Sequence, residues 1–164
     1  MRRRAGAALL LAGAASWAHA QEATFSVRQL TLEAALQAGL AALESCRKSG
    51  YQVAVAVVDR AGLPQVVLRD RYAGAHTVDM AVDKAWTAAS FRTSTAAIAE
   101  ATAAGKSLSG IRDRPRVAAV AGGLVIEAAG SLAGAIGVSG APGGDLDEAC
   151  ARAGIAAIRS QLDF

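Results

Sequence analysis

The apolar positions near the start of the chain predict an amphipathic helix. Thr31 has a side chain suited to an N-cap, and the helical pattern continues to about Lys48, where Gly50 is placed to end it. One stripe of this helix carries four leucines, namely Leu32, Leu36, Leu40 and Leu43. A helix with a single apolar stripe is typical of one that packs against a neighbouring layer.

The next apolar runs predict a hairpin and then two helices. Residues 53–58 are a continuous run of valine and alanine, which is typical of a strand buried on both faces. Residues 59–62 have turn chemistry, and residues 65–69 predict the returning strand. The pattern then becomes helical over residues 76–91, and residues 95–104 predict a second, shorter helix.

The second half of the chain predicts three short strands and a last helix. The strands are residues 117–121, 124–128 and 132–138. Gly122-Gly123 separates the first two and Ala129-Gly130 the last two, and both pairs suit tight hairpin turns. Residues 140–144 predict a loop, and a helix follows over residues 145–162.

The predicted order of elements is α-β-β-α-α-β-β-β-α. Neighbouring strands are joined by short turns, except across the two central helices. The simplest arrangement is therefore a five-stranded antiparallel sheet with helices packed against it. The predicted fold class is α/β of the α+β type, in one domain.

The first twenty residues have the pattern of a secretory signal peptide. Arginines at positions 2–4 precede an apolar run over residues 5–17, and Ala18-His19-Ala20 follows as a cleavage box. The apolar run is too short to cross a bilayer. We therefore expect cleavage after Ala20 and a mature chain that is periplasmic or secreted. The alternative is a retained membrane anchor.

Charge and hydropathy argue against two kinds of partner for the mature chain. The full sequence has 17 basic and 14 acidic residues, and removing Arg2, Arg3 and Arg4 leaves 14 of each. Without a basic surplus there is little counterion-release energy for binding a phosphate backbone, so nucleic acid is not an expected partner. No later apolar stretch approaches the length of a membrane span, so we expect no membrane insertion of the mature chain.

Two cysteines, Cys46 and Cys150, allow one disulfide in an exported protein. They fall near the end of the first predicted helix and near the start of the last. If these helices pack antiparallel on one sheet face, the thiols lie close together. A bridge over so long a loop would stabilise the fold by ~4 kcal/mol on chain-entropy grounds. The alternative, two separately buried thiols, stays open at this point.

One histidine is left after removal of the leader, because the sequence contains only His19 and His76. A single imidazole does not build a usual zinc site, but it can be the axial ligand of haem iron, where the porphyrin supplies the other four nitrogens. Met80 lies four residues further along, on the same predicted helix face, and is a second candidate haem-binding residue. The alternative is a structural histidine at a helix start. The sequence identifies no catalytic residue.

Five segments along the chain carry a recognisable pattern. They are residues 57–62 (VVDRAG), 73–77 (AGAHT), 83–92 (DKAWTAASFR), 122–126 (GGLVI) and 134–140 (GAIGVSG). In this order they resemble the GlcG/HbpS family of haem-binding or haem-degrading domains, which also forms the C-terminal part of some cobalamin adenosyltransferases. The resemblance divides the chain into a signal peptide (1–20), an N-terminal extension (21–29) and a GlcG/HbpS-like domain (30–164).

The resemblance implies a profilin-like antiparallel sheet flanked by helices, and homo-oligomers that range from dimers to octamers. It also implies haem as the cofactor, with His76 as iron ligand, since the His-Thr pair after Ala-Gly-Ala is similar to one subgroup of the family. Lys84, in the middle of the helical motif, would pair with a ligand carboxylate such as a haem propionate, and the alternative is a solvated or interface lysine. Some members act beside a sensor kinase, so a sensor or transport protein is an expected partner. Whether the protein is an enzyme stays open.

Three functions are left open by the sequence. The first is storage, transport or redox sensing of haem through His76. The second is binding or conversion of a small organic acid or aldehyde, in a pocket lined by Lys84, Ser139, Gly122 and Gly123. The third is an oligomeric accessory or structural subunit, whose Ala- and Gly-rich helices pack against other subunits.

Overall fold

The computed structural model describes residues 23–162, and the expected leader (1–20) lies outside that range. The described residues form four α-helices and four β-strands. In chain order these are α1 (Leu32–Lys48), β1 (Ala54–Asp59), β2 (Pro64–Arg69), α2 (His76–Phe91), α3 (Thr95–Ala101), β3 (Gly123–Ala128), β4 (Ser131–Ser139) and α4 (Gly144–Ile158). No helix within the described range is both long and apolar enough to cross a bilayer.

The strands form one antiparallel sheet in the order β2-β1-β4-β3, and helices cover both of its faces. The central strand β1 is buried on both sides, as its continuous apolar run predicts. Val55 and Val57 belong to the core under α1 and α4, whereas Ala54 and Ala56 pack against α2. This arrangement confirms an α+β fold in which an antiparallel sheet is flanked by helices.

The prediction of a five-stranded sheet is wrong, because residues 117–121 do not form a strand. The Ala118 N–H donates to the Thr87 hydroxyl oxygen (3.0 Å), and the same hydroxyl donates to the Arg116 carbonyl (3.1 Å). The segment is therefore bonded to a side chain of α2 and not to the sheet edge. Of the five apolar residues in this segment only Ala118 is buried, and Val120 is 41% exposed.

One of the two predicted hairpin turns is confirmed. Ala129 (φ 48°) and Gly130 (φ 73°) join β3 to β4 with positive φ at both central residues, as a type I′ turn requires. The other pair is not a hairpin turn, because no strand precedes it. Gly122 lies just before β3, and Gly123 is the first residue of that strand.

Helices α1 and α4 approach each other closely through small residues. A Cβ added at Gly154 would lie 2.6 Å from the Ala38 carbonyl oxygen and 3.0 Å from Ala42 Cβ. Because small residues form the face of α1 that meets α4, only Leu43 of the predicted leucine stripe is buried. The exposed members of the stripe are Leu32, Leu36 and Leu40.

A disulfide joins Cys46 in the last turn of α1 to Cys150 in α4, with the two Cα atoms 5.5 Å apart. Of the two states that the sequence leaves open, the bridge is the one that forms. Both residues are buried in the core beneath the two helices. The bridge spans a sequence separation of 104 residues, so it ties the first helix to the last.

Helix α2 lies directly on β4 at a position without a side chain. A Cβ at Gly137 would collide with the Ala81 carbonyl oxygen, so only glycine permits this approach. Side chains alternate along a strand, and Ser139 is therefore on the same face, toward α2. The close approach brings Lys84 of α2 next to the end of β4, where the candidate site lies.

Candidate functional site

A pocket of about 580 Å³ lies at the end of β4, between the first turns of α2 and the start of α4. The lining residues with functional side chains are His76, Met80, Lys84, Ser139 and Asp147. The rest of the wall comes mainly from residues 50–52, Tyr72 and residues 140–144. The pocket thus brings together four of the predicted site residues, three on α2 and Ser139 at the end of β4, and adds Asp147 from α4.

His76 is the first residue of α2, and its imidazole is exposed on the pocket wall. The turn before it is fixed because the Thr77 N–H and hydroxyl both donate to the Gly74 carbonyl, at 3.0 and 2.6 Å. Met80 is one helical turn further along and 38% exposed. The pocket therefore presents an imidazole and a thioether next to each other. No group of three or more His, Cys, Asp and Glu side chains suited to holding an ion occurs among residues 23–162.

Lys84 forms the floor of the pocket and is only 2% exposed. Its ammonium donates to Asp147 Oδ2 (2.8 Å) and to the Val138 carbonyl (2.9 Å). Asp147 Oδ1 accepts from the Ala141 N–H at 2.9 Å. An ammonium has three N–H donors, so Lys84 keeps one for a ligand, and its charge is already balanced by Asp147.

Asp147 was not among the predicted site residues, although it is the partner that a buried lysine requires. Burial raises the pKa of its carboxyl above the ordinary value, and the hydrogen bonds from Lys84 and Ala141 offset only part of that effect. The pocket floor is therefore a buried ion pair whose acidic member is costly to keep ionised.

Gly122 and Gly123 are not among the residues that line this pocket, and their predicted role as ligand contacts stays a prediction. They pack behind Lys84. A Cβ at Gly122 would lie 2.8 Å from Lys84 Nζ, and one at Gly123 would collide with the Lys84 carbonyl. Ser139, by contrast, does line the pocket and is 6% exposed. The two glycines thus make room for the ion pair.

A second ion pair lies behind the segment that leads to His76. Arg47 binds Asp70 with two hydrogen bonds, from Nε to Oδ2 (2.6 Å) and from Nη2 to Oδ1 (3.0 Å). The Asp70 side chain is 2% exposed, and its Oδ1 also accepts from the Arg71 N–H. The Arg47 guanidinium, together with that N–H, holds the pKa of the Asp70 carboxyl below its ordinary value.

This lowered pKa predicts an acid-sensitive contribution to stability. The Asp70 contribution is complete above the unfolded-state pKa of about 3.9, and it is lost as the pH falls through the folded-state pKa. The side chain at this position cannot titrate in the Asp70→Asn variant. We therefore expect the variant to have a lower free energy of unfolding than wild type at pH 6. We also expect that free energy to decrease less than in wild type between pH 6 and pH 3. Urea unfolding at both pH values measures this difference. Equal losses in the two proteins would contradict it.

The fold and the pocket define a class of protein: one antiparallel sheet between helices, with a ligand-sized pocket that presents a single imidazole. A family model described as "haem degrading protein HbpS-like" matches residues 30–156. The chain belongs to this HbpS-like family, which confirms the resemblance seen in the sequence.

Solved structures show the same relationship. The chain is 42% identical to a double mutant of Streptomyces reticuli HbpS, with a TM-score of 0.77 over 88% of this chain and 97% of that one. Klebsiella pneumoniae protein ORFY is 28% identical, with a TM-score of 0.83 over 86% and 98%. A PduOC:heme complex is 30% identical, with a TM-score of 0.76 over 79% and 95%. No match was found among curated proteins.

Proposed function

We propose that this chain is a haem-binding protein that stores, carries or senses haem, with His76 as the axial ligand of the iron. The observation that carries the proposal is the exposed imidazole on the wall of a pocket in an HbpS-like domain. The similarity to a structure named as a heme complex supports the same ligand. Bound haem would supply the iron and its redox chemistry, and the chain would bind and orient it.

The residues of the pocket fit such a ligand. A volume of about 580 Å³ lies within the roughly 300–1,000 Å³ typical of small-molecule sites. One imidazole is sufficient for haem, since the porphyrin supplies the other iron ligands. Met80 and Tyr72 offer apolar surface to a flat macrocycle. Lys84 is less suited to a propionate than the sequence implies, because Asp147 balances its charge and one N–H is left.

The test is a haem titration followed by the Soret band. We expect His76→Ala to weaken haem binding about 100-fold, which corresponds to about 2.7 kcal/mol, because the iron loses its protein ligand. Met80→Leu is the matched control on the same helix face, since it keeps the apolar contact and removes only the thioether. We expect its affinity to stay within about threefold of wild type, less than 1 kcal/mol. An unchanged titration with His76→Ala, or equal losses in both variants, would remove His76 from the site.

A second candidate function is favoured by the pocket floor. The Ser139 hydroxyl and the remaining N–H of Lys84 are polar groups in a buried setting, which suits a small hydroxy acid or aldehyde. A thermal-shift screen of such compounds separates the two functions. A specific shift from one of them, without any response to haem, would favour this candidate.

We further propose that the mature chain is exported and forms a homo-oligomer of two to eight subunits. Export is supported by the signal-like residues 1–20 together with the disulfide, which persists in oxidising compartments. Oligomer formation is supported by the exposed leucines of α1, Leu32, Leu36 and Leu40, which form an apolar surface. Native mass spectrometry measures the subunit number. An oligomer that binds no small ligand would favour an accessory or structural role, beside a sensor or transport partner.

A further inference from the structure

The segment between β2 and α2 is held in place by a buried carboxylate. Asp70 directly follows β2, and its side chain receives the two hydrogen bonds from Arg47 described above. Its own N–H donates to the Val53 carbonyl (3.0 Å), just before the central strand β1. Asp70 is therefore tied both to the end of α1 and to the sheet, so this end of the segment is fixed from two sides.

Hydrogen bonds carry this constraint from Asp70 to His76. The Ala73 N–H donates to the Asp70 carbonyl (3.1 Å), and Arg69 Nη1 donates to the Ala73 carbonyl (2.7 Å). The next turn is closed by Thr77, which donates twice to the Gly74 carbonyl. Two consecutive turns, each closed by hydrogen bonds, thus connect the buried carboxylate to the first residue of α2.

The His76 imidazole lies directly against Gly74. His76 Cε1 and Nδ1 lie 2.8 and 3.0 Å from the position that a Cβ at Gly74 would occupy. The backbone of Gly74 is not left-handed, so its conformation does not require glycine. What the glycine provides is space for the ring. An alanine there would leave the backbone undisturbed and displace the imidazole.

We propose that Asp70 and Arg47 are positioning residues for the His76 imidazole, and that the missing side chain of Gly74 sets where the ring lies. This inference rests on the proposed function, because it concerns the same iron ligand. A ligand held in its binding orientation loses less conformational freedom on binding. Direct hydrogen-bond partners of metal ligands typically affect affinity by about 10–100-fold, and Asp70 acts through two backbone turns, so the lower end of that range is expected. Asp70 and Arg47 would act only through His76.

A double-mutant cycle tests this role. Asp70→Asn is expected to weaken haem binding about 10-fold in the wild-type background and to have no further effect in the His76→Ala background. A residue that merely supports the pocket would weaken binding in both backgrounds. Arg47→Lys keeps the charge and loses the two-point geometry, so an intermediate loss is expected. Glu44→Gln, on the exposed side of α1, is the control and should leave the affinity unchanged.

Gly74→Ala provides a second route that does not depend on the stability of the Asp70 variant. We expect its thermal unfolding to match wild type and its ferric absorption or EPR spectrum to report altered imidazole ligation. A spectrum identical to wild type in Gly74→Ala, or an equal loss for Asp70→Asn in both backgrounds, would overturn the inference and leave the proposed function intact. A wild-type affinity that does not depend on His76 would overturn both.

Discussion

Replacing both cysteines with alanine is expected to lower the free energy of unfolding by roughly 4–5 kcal/mol, the loop-closure entropy of a bridge over about 100 residues. Cys46 and Cys150 are separated by 104 residues and join the first helix to the last. For a domain of this size the loss corresponds to a decrease of roughly 8–20 °C in the midpoint of thermal unfolding. Differential scanning calorimetry measures it directly.

Treatment with a reducing agent provides the matched control for this prediction. We expect a reductant that reaches the buried bridge to lower the unfolding temperature of wild type and to leave the Cys46→Ala/Cys150→Ala variant unchanged, since that variant has no bridge to reduce. A double variant that unfolds within about 2 °C of wild type would contradict the prediction, because it would mean less than about 1 kcal/mol of stabilisation.

Asp147→Leu is expected to destabilise the protein by roughly 3–5 kcal/mol, because breaking a buried pair leaves an uncompensated charge. The Lys84 ammonium would remain in a position that is 2% exposed, without a counter-ion. Lys84→Met is expected to destabilise the protein less than Asp147→Leu. The Asp147 carboxyl that is left behind can take up a proton, because burial already raises its pKa. Urea unfolding of the two variants measures this asymmetry.

The double variant Lys84→Met/Asp147→Leu distinguishes an interacting pair from two independent sites. Removing both charges leaves no unpaired charge in the pocket floor, so the destabilisation should be well below the sum of the two single effects. Additive costs would show that the two side chains do not stabilise each other. Because neither substitution touches His76, haem binding in the folded variants also reports whether the floor contributes to the site.

Element positions could largely be predicted from the sequence, because periodicity and turn residues are local. The start of α1 at its Thr31 cap, the span of α2 and the Ala129-Gly130 turn all follow from such signals. The strand predicted over residues 117–121 does not form, and the Ala118 N–H binds the Thr87 hydroxyl of α2 rather than the sheet. A short apolar run does not by itself show which element its backbone will bind, and here only Ala118 is buried.

The buried face of α1 was harder to predict for a related reason. A stripe of leucines is the stronger hydrophobic signal, yet the alanine and glycine side of the helix faces α4. Close approach of two backbones selects small residues, as at Gly154 and Ala38. This preference for small residues depends on the distance between the two helices, and that distance cannot be predicted from the residue pattern of one helix.

The candidate site was predicted in part. His76, Met80 and Lys84 share the pocket because helical spacing places them along one side of α2, and Ser139 joins them at the end of β4. Asp147 could have been inferred, since a buried lysine calls for a carboxylate. The sequence does not show which carboxylate meets it, because the contact spans 63 residues.

Pulsed EPR on the ferric haem complex, prepared with ¹⁵N-labelled histidine, tests the central claim most directly. His76 is the only histidine outside the first 20 residues, so in protein prepared without those residues any directly bound ¹⁵N belongs to that side chain. The account predicts one strong ¹⁵N coupling in addition to those of the porphyrin nitrogens. A complex that shows porphyrin couplings alone would contradict it.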